Sequence, residues 1–405
     1  MTQFHDALTS YPFSRNRLMI IDWASLSYHQ WFSMVSKKRT SYQFDINTSE
    51  KELNVWKTLM MGKVASYIRL FNPIDIIFAL EGTVTWRKGL YSDYYAKHTK
   101  IRYDKSGFYV FYDNQVIKIS KTETGEFFLE KLKYGESYDH LPLVPMDKLS
   151  EAAQTAIKSV LPAYKGNRKG RPWEFLTPKK EWENFRDEFA MMVAPLFRGR
   201  TVRMLEAEGD DVMYVSTTYL EKRYSSIVMV TGDSDMNQLL NQKNLIIYNH
   251  RNENLVQCLN PTNYLDAKVL SGDDSDNING IVLPGKKQQL GEKTAQTLLD
   301  SVGNCYEAAK RDGWDNQYER NRKLIDLSFV PTHIQRSICE MLDQPRPDIA
   351  PVRAIHDLGI TEKIVNAING MREIGYYSLH PYQKTQDNPD LFKDFLVTTQ
   401  RSFDA

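Results

Sequence analysis

Cysteine is scarce in this chain: Cys258, Cys305 and Cys339 are scattered through 405 residues. Their spacing fits no zinc site, and an odd, dispersed count excludes a disulfide framework, so a reducing compartment is expected. Apolar runs of the roughly 20 residues that a membrane span needs are also missing. The opening stretch MTQFHDALTSYPFSRNR holds no apolar core of signal-peptide length, which places the expected location in the cytoplasm. Neither sign of charge is in surplus, since the formal net charge is +1. Any polyanion-binding surface must therefore come from segregation of acids and bases. Repeats are missing too, apart from a weak echo of Tyr94–His98 in Ala163–Arg168.

What is present fits a soluble globular chain of two or three domains, with 41% hydrophobic and 25% charged residues. Arg17–Asp22 reads as a buried strand ending in an acid, Trp56–Leu70 as a helix, and Ile74–Leu80 as a second strand ending at Glu81-Gly82. Trp86–His98 is a basic, aromatic helix. The character then changes: Phe108–Tyr112 and Val116–Ile119 flank Asp113-Asn114 as a hairpin, with a further strand over Phe127–Leu129. The α/β pattern resumes with a helix over Pro178–Phe197, strands over Val202–Leu205, Ser226–Val230 and Leu245–Tyr248, and a helix over Asp210–Lys222. An edge strand is expected near Leu255–Leu259 and helices beyond Pro261. Pro345, Pro347 and Pro351 mark a linker, followed by short helices over Asp357–Ile374 and a polar tail from His380. The expected fold is α/β, a mostly parallel central sheet flanked by helices. Its expected parts are an α/β domain over 1–255 with an inserted β-hairpin near 100–160, a helical helix–hairpin subdomain over 256–345, and a C-terminal extension over 346–405.

The run Thr231-Gly232-Asp233-Ser234-Asp235 closes one of the buried strands. Ligands and chemistry gather at strand C-termini in open α/β sheets. Asp22, Glu81, Glu208, Asp210, Asp211, Asp233 and Asp235 all fall at or near such tips, and Asp273 and Asp276 follow in a Gly-Asp-Asp-Ser-Asp-Asn turn. Taken singly each has an ordinary explanation: a helix cap for Asp210, a helix N-terminus for Glu208, a turn for Asp273 and Asp276. The recurrence at successive tips is different, because neighbouring carboxylates raise one another's pKa and need a counter-charge. Two divalent cations with oxygen ligands would supply it and suit phosphodiester hydrolysis.

The bases form their own groups. Arg87 and Lys88 open the basic helix; Lys165, Arg168, Lys169 and Arg171 surround Tyr164 and Trp173. Cations interleaved with rings suit a single nucleic-acid strand, although a solvated basic loop has the same composition. Further on, Lys286 and Lys287 precede Gly291, Lys293 and Thr294 at a helix start, where backbone N–H groups can hold a duplex phosphate. An ordinary helix–loop–helix is the alternative.

Ile21-Asp22, Phe78–Glu81 with Trp86-Arg87, Tyr164–Arg168, Glu208–Asp211, Thr231–Asp235, Gly272–Ile278 and Gly291–Ala295 together resemble the flap endonuclease / 5′-nuclease family, in particular its T-even phage ribonuclease H branch. The resemblance runs from about Leu18 to Asp343. It implies a PIN-like fold and a magnesium-dependent 5′→3′ exonuclease and 5′-flap endonuclease with ribonuclease H-type activity. Such an enzyme removes RNA primers and adjacent DNA on the lagging strand. It implies one Mg2+ near Glu81, Glu208, Asp210 and Asp233 and another near Asp235, Asp273 and Asp276, with Asp22 between them and Mn2+ as a substitute. Asp210 and Asp235 would be catalytic together with Arg87 and Lys165, the cations of a gateway for the 5′ strand; Lys97 is the alternative gateway lysine. Asp211 matches an acid less directly tied to the metals. Three departures stand out: Glu81 replaces the usual Asp, the helix–hairpin loop is lengthened by Leu283–Gln289, and the arch carries the 100–160 segment. The implied partners are branched or 5′-ended DNA and RNA–DNA duplex, met by a monomer. A sliding clamp or single-strand-binding protein could dock on Asp390–Leu396, which could equally be a terminal helix. A PIN-type ribonuclease and a catalytically inactive branched-DNA-binding protein are the competing readings.

Overall fold

The structure, a computed structural model, describes residues 16–345 apart from 39–44, 48, 114, 123–125, 133–137, 139, 167–176, 258–259, 285 and 287. Arg168, Lys169, Arg171, Trp173, Cys258, Lys287, the extension 346–405 and its segment Asp390–Leu396 lie outside the described residues. In chain order the first elements are β1 (Arg17–Asp22), α1 (Trp23–Lys38), α2 (Glu50–Phe71), β2 (Asp75–Ala79), α3 (Trp86–His98), β3 (Lys100–Asp104), β4 (Gly107–Tyr112), β5 (Gln115–Lys121), β6 (Phe127–Leu132) and α4 (Glu151–Val160). There follow α5 (Lys179–Val193), β7 (Arg200–Val202), α6 (Gly209–Leu220), β8 (Ser226–Thr231), β9 (Leu245–Asn249), β10 (Asn254–Leu255), α7 (Pro261–Ser271), β11 (Gly272–Asp273) and β12 (Ile278–Asn279). The last are α8 (Glu292–Val302), α9 (Cys305–Asp312), α10 (Asp315–Ile325) and α11 (Thr332–Asp343). Among the described residues no helix is long and apolar enough to cross a membrane. Among the described residues, the chain forms two compact units, one lying within 1–84, 172–259 and 330–405, the other within 85–171 and 260–329.

The first unit is built on a six-stranded sheet in the order β10-β9-β8-β1-β2-β7. Every pairing is parallel except β9 with the short edge strand β10. RLMIID, DIIFA and SIVMVT are buried along their whole length, as expected for parallel strands covered on both faces. Met19, Ile21, Phe78, Val228, Val230 and Tyr248 share one face with Trp23, Trp31, Trp56, Trp182 and Phe189 from α1, α2 and α5. Trp31 and Trp56 lie 4.7 and 5.0 Å from Trp182 between ring centroids. Strand order reverses at β1, which sits between β8 and β2, so the switch point of the sheet is where Asp22 ends its strand.

The second unit holds an antiparallel meander, β3-β4-β5-β6, where the sequence pattern indicates only a hairpin and one extra strand. Its inner residues Ile101, Val110, Tyr112 and Ile119 join Tyr91 and Tyr95 of α3 and Ile157 of α4 in one apolar cluster. Helix α4 lies inside a stretch that reads from sequence as β and loop. Arg320 of α10 ties these parts together. Its Nη1 meets Asp113 Oδ2 at 2.6 Å and Tyr95 Oη at 3.0 Å, and its Nη2 donates to Asn279 O at 3.0 Å. Tyr95 Oη also donates to Asp113. The Arg320 and Asp113 side chains are 0% and 4% exposed, so each is the other's main counter-charge.

Truncating one member of a buried pair leaves the other uncompensated, at about 3–5 kcal/mol. Arg320→Met is expected to lose stability on that scale in urea unfolding at neutral pH. Asp113→Asn added to Arg320→Met should recover part of the loss. A loss below about 1 kcal/mol for Arg320→Met would show that the bridge is not what joins the meander to α10.

Candidate active site

The C-terminal edge of the first unit's sheet collects carboxylates through local geometry. Asp22 is the last residue of β1 and is 6% exposed. Its register places it beside Thr231, whose hydroxyl donates to Asp22 Oδ2 at 2.7 Å, while the Ser25 amide donates to Oδ1 at 3.0 Å. Burial pushes this carboxyl up to about 6, against those two hydrogen bonds, and Asp233 and Glu81 add to the rise. Asp233 caps the short 3-10 turn Ser234–Leu239 by accepting from the Asp235 amide at 2.9 Å, which fixes both acids of the Thr-Gly-Asp-Ser-Asp run at one strand tip.

Helix α6 brings the next group. Glu208 is its N-cap, and Glu208 and Asp211 form a reciprocal capping box in which the Glu208 amide donates to Asp211 Oδ2 at 3.0 Å. Asp211 is fully buried, so its carboxylate serves the helix start. Asp210, next to it, faces the cluster. Its pKa is raised well above the usual carboxylate range, first by burial and then by Asp233, Asp22, Asp235 and Glu208. One carboxylate thus senses four others. The loop before α6 is locked to the end of β2: the Gly82 amide donates to Ala207 O at 2.8 Å, and a Cβ at Gly82 would lie 2.2 Å from Met204 O. Glu81 is exposed beside this junction, and its Cγ lies 3.6 Å from where a Gly209 side chain would begin.

The remaining two acids, Asp273 and Asp276, belong to the second unit, where lysines compensate them. Burial works to raise Asp273, but Lys268 Nζ at 2.9 Å and the Ser275 amide at 2.8 Å outweigh it and hold the group below the usual range. Asp276 Oδ2 accepts from Tyr164 Oη at 2.7 Å and lies 3.6 Å from Lys165 Nζ. The Tyr-Lys-Gly run therefore docks on the Gly-Asp-Asp-Ser-Asp turn, and Lys165 donates its amide to Asp276 O at 2.7 Å with φ of 56°.

Two residues expected to face a nucleic acid are interior instead. Arg87 is 2% exposed and its Nε donates to Leu324 O at 2.9 Å. It shares the inner stripe of α3 with Tyr91 and Tyr95, an i, i+4, i+8 spacing visible in the sequence. Tyr164 is 6% exposed and packs at 6.3 Å from Tyr91, so its ring is not offered to a base. By contrast Lys88, Lys286, Gly291, Lys293 and Thr294 are exposed. Gly291 is the N-cap of α8, with open space where a side chain would stand. Ser25, which helps to position Asp22, carries no motif signal of its own, and Thr231, although it heads the Thr-Gly-Asp-Ser-Asp run, is revealed as a partner of Asp22 only by the strand register.

Among the described residues, no group of three or more His, Cys, Asp or Glu side chains is arranged to hold a metal ion. The donor chemistry still suits a hard divalent cation. The cluster around Asp210 consists of carboxylate oxygens that repel one another. A cation that keeps several of its waters requires only one or two of them directly.

No protein-family model matches the chain. The 5′-3′ exonuclease of Buchnera aphidicola subsp. Acyrthosiphon pisum (strain APS) is 27% identical over 163 residues, 36% of this chain and 54% of that protein. The thermostable DNA polymerase I of Thermus thermophilus is 32% identical over 105 residues, 24% of this chain and 12% of that protein. The chain thus spans about half the length of the exonuclease and a smaller part of the polymerase. Among solved structures, the bacteriophage T5 D15 flap endonuclease in complex with DNA and metal ions is 13% identical, with a TM-score of 0.47 over 81% of this chain and 100% of its own.

The crowded carboxylates carry a measurable cost. The folded protein keeps its proton on Asp22 up to about pH 6, whereas an unfolded chain releases it near 4. The folded state binds more protons in that window, and Asp210 acts in the same direction, so these groups lower stability as pH rises through it. In EDTA, Asp210→Asn is expected to unfold at a higher temperature than wild type, by about a few degrees, with the gap widening from pH 5 to pH 7.5. Millimolar MgCl2 should raise the wild-type midpoint more at pH 7.5 than at pH 5, and Asp210→Asn should lose most of that rise. An equal rise in both proteins, read by differential scanning calorimetry, would disconnect the cluster from cation binding.

Proposed function

We infer that the chain belongs to the 5′-nuclease family and is a divalent-cation-dependent phosphodiesterase that cuts nucleic acids at and near 5′ ends. The observation that carries this reading is the convergence of Asp22, Asp210, Asp233, Asp235 and Glu208 at the switch-point edge of a parallel sheet. Relatives named 5′-3′ exonuclease and DNA polymerase I match the same chain. We assign Mg2+ as the cation, with Mn2+ able to replace it, because a water-retaining ion suits few direct carboxylate ligands. When bound, paired cations supply an activated water and charge neutralisation at the leaving oxygen.

This chain's own residues then have separable tasks. Asp210, Asp233, Asp235, Glu208 and Glu81 provide the oxygen donors, and Thr231 and Ser25 keep the Asp22 carboxylate in one orientation. Asp273 and Asp276 would serve a second ion by exchanging the charge of Lys268 and Lys165 for that of the cation. Lys165, which faces Asp276 in the structure, would then be available to a phosphate. The open N-terminus of α8, with Gly291, Lys293 and Thr294, suits a duplex phosphate without reading sequence. The substrates we assign are branched or 5′-ended DNA and RNA–DNA duplex, and the role is primer removal during lagging-strand synthesis.

With a 5′-flap duplex and Mg2+, wild type is expected to release the flap and to degrade recessed 5′ ends. Asp210→Asn and Asp235→Asn should each lose at least about 100-fold in single-turnover rate, the scale of a lost electrostatic contact to the transition state. Both should keep the wild-type circular dichroism spectrum and still bind the flap. Full activity in either variant would sink the assignment, and binding without any cleavage by wild type in Mg2+ or Mn2+ would make the chain a non-catalytic binder.

A further inference from the structure

Neither hydrophobic periodicity nor a motif marks Arg251, which follows β9 in the run Asn249-His250-Arg251. The strand register places it with care. Asn249 pairs with Thr231 across β8 and β9, and its Oδ1 accepts from the Arg251 amide at 2.9 Å and the Asn252 amide at 3.3 Å. This turn folds the chain back over the tip of β8. The Arg251 side chain then lies where a Gly232 side chain would be: a Cβ at Gly232 would stand 2.4 Å from Nε and 3.0 Å from both Cδ and Cζ. The glycine of the Thr-Gly-Asp-Ser-Asp run is thus the floor of a seat for a guanidinium.

The seat has a second wall. Arg251 Nη2 lies 3.4 Å from Ser25 Oγ, and Ser25 is the residue whose amide holds Asp22 Oδ1. Ser25 Oγ is also 2.9 Å from His250 Nε2. Arg251 therefore touches the neighbours of two cluster acids, Asp233 through Gly232 and Asp22 through Ser25. Among the described residues it nevertheless forms no ion pair. It is solvent-exposed. His29 and His250, whose tilted rings lie nearby with centroids 5.3 Å apart, offer no negative charge. Burial and the Arg251 charge both hold the two imidazoles below their ordinary pKa, that of His250 to about 3.

A guanidinium fixed beside a carboxylate edge, but paired with no carboxylate, is placed for an anion that arrives from outside. We propose that the seat formed by Gly232, Ser25 and Arg251 binds a phosphate group of a nucleic-acid strand, Arg251 donating to its non-bridging oxygens beside the acidic edge. The planar fork of arginine suits two such oxygens at once. The proposal deepens the nuclease reading and rests on it for the identity of the anion. It makes Arg251 a substrate-binding residue and gives Gly232 the task of leaving it room.

Two measurements test it. The first needs no cleavage: in an Asp210→Asn background, anisotropy of a labelled 5′-flap duplex is followed over a KCl series. Arg251→Ala is expected to reduce the slope of log K against log salt by about 0.7–0.9, the value of one lost phosphate contact, and Arg251→Lys to keep it. The second uses wild-type Asp210 and substrates carrying one neutral methylphosphonate linkage at a time around the cut. Arg251→Ala should slow cleavage of the all-phosphate substrate about 10- to 100-fold, and at one linkage the neutral substitution should cost wild type but not Arg251→Ala. Gly232→Ala, which displaces the guanidinium, should reproduce the Arg251→Ala defect without adding to it. An unchanged salt slope, or effects that add at every linkage, would overturn the proposal. If wild type binds but does not cut, the nuclease reading falls while the salt slope still decides Arg251. If no DNA is bound at any salt, the phosphate seat falls as well.

Discussion

Mutual repulsion among carboxylates at one sheet edge is the constraint around which the first unit is organised. Asp210 is driven toward its neutral form by burial and by Asp22, Asp233, Asp235 and Glu208. A fold tolerates such crowding only where surrounding structure over-determines it. Here the parallel register of β1, β2 and β8 fixes the strand tips, and the tryptophan-rich layer of α1, α2 and α5 holds the sheet from behind. Thr231, Ser25 and the Asp235 amide supply hydrogen bonds to carboxylates that would otherwise turn away from one another.

The second unit treats its acids in the opposite way. Asp273, Asp276 and Asp113 each have a cation at hand, from Lys268, Lys165 and Arg320. Compensation of this kind removes the uncompensated repulsion that the acids of the first unit retain. The two units therefore hold the acidic side chains of one set of motifs in contrasting electrostatic states. Exchange of a lysine for a divalent ion would convert one state into the other.

The sheet is largely legible in the sequence because parallel strands bury both faces and so appear as unbroken apolar runs; RLMIID, DIIFA and SIVMVT are of this kind. The acids at their tips are legible only as a set, because each alone passes for a cap or turn residue while their recurrence at successive tips does not. The meander is less so: β4, β5 and part of β6 are read as strands, but KIRYD of β3 buries only Ile101 fully and shows no apolar run. Helix α4 escapes notice because it is only 10 residues long. Arg87 and Tyr164 mislead from the other side. Basic and aromatic residues have the same composition whether they meet a ligand or a core, and only the i, i+4 stripe with Tyr91 and Tyr95 hints that Arg87 points inward. Ser25, Thr231 and Arg251 depend on strand register, which a single sequence does not disclose.

Gly82 shows how the site is kept rigid. Three carbonyl oxygens, from Met204, Leu205 and Ala207, crowd within 2.7 Å of where a side chain would begin. The tip of β2 and the start of α6 are consequently one mechanical piece, with main-chain freedom removed on both sides of Glu81. Adjustment at that corner is left to side-chain torsions alone. A glutamate there has one more rotatable bond than an aspartate with which to place its carboxylate.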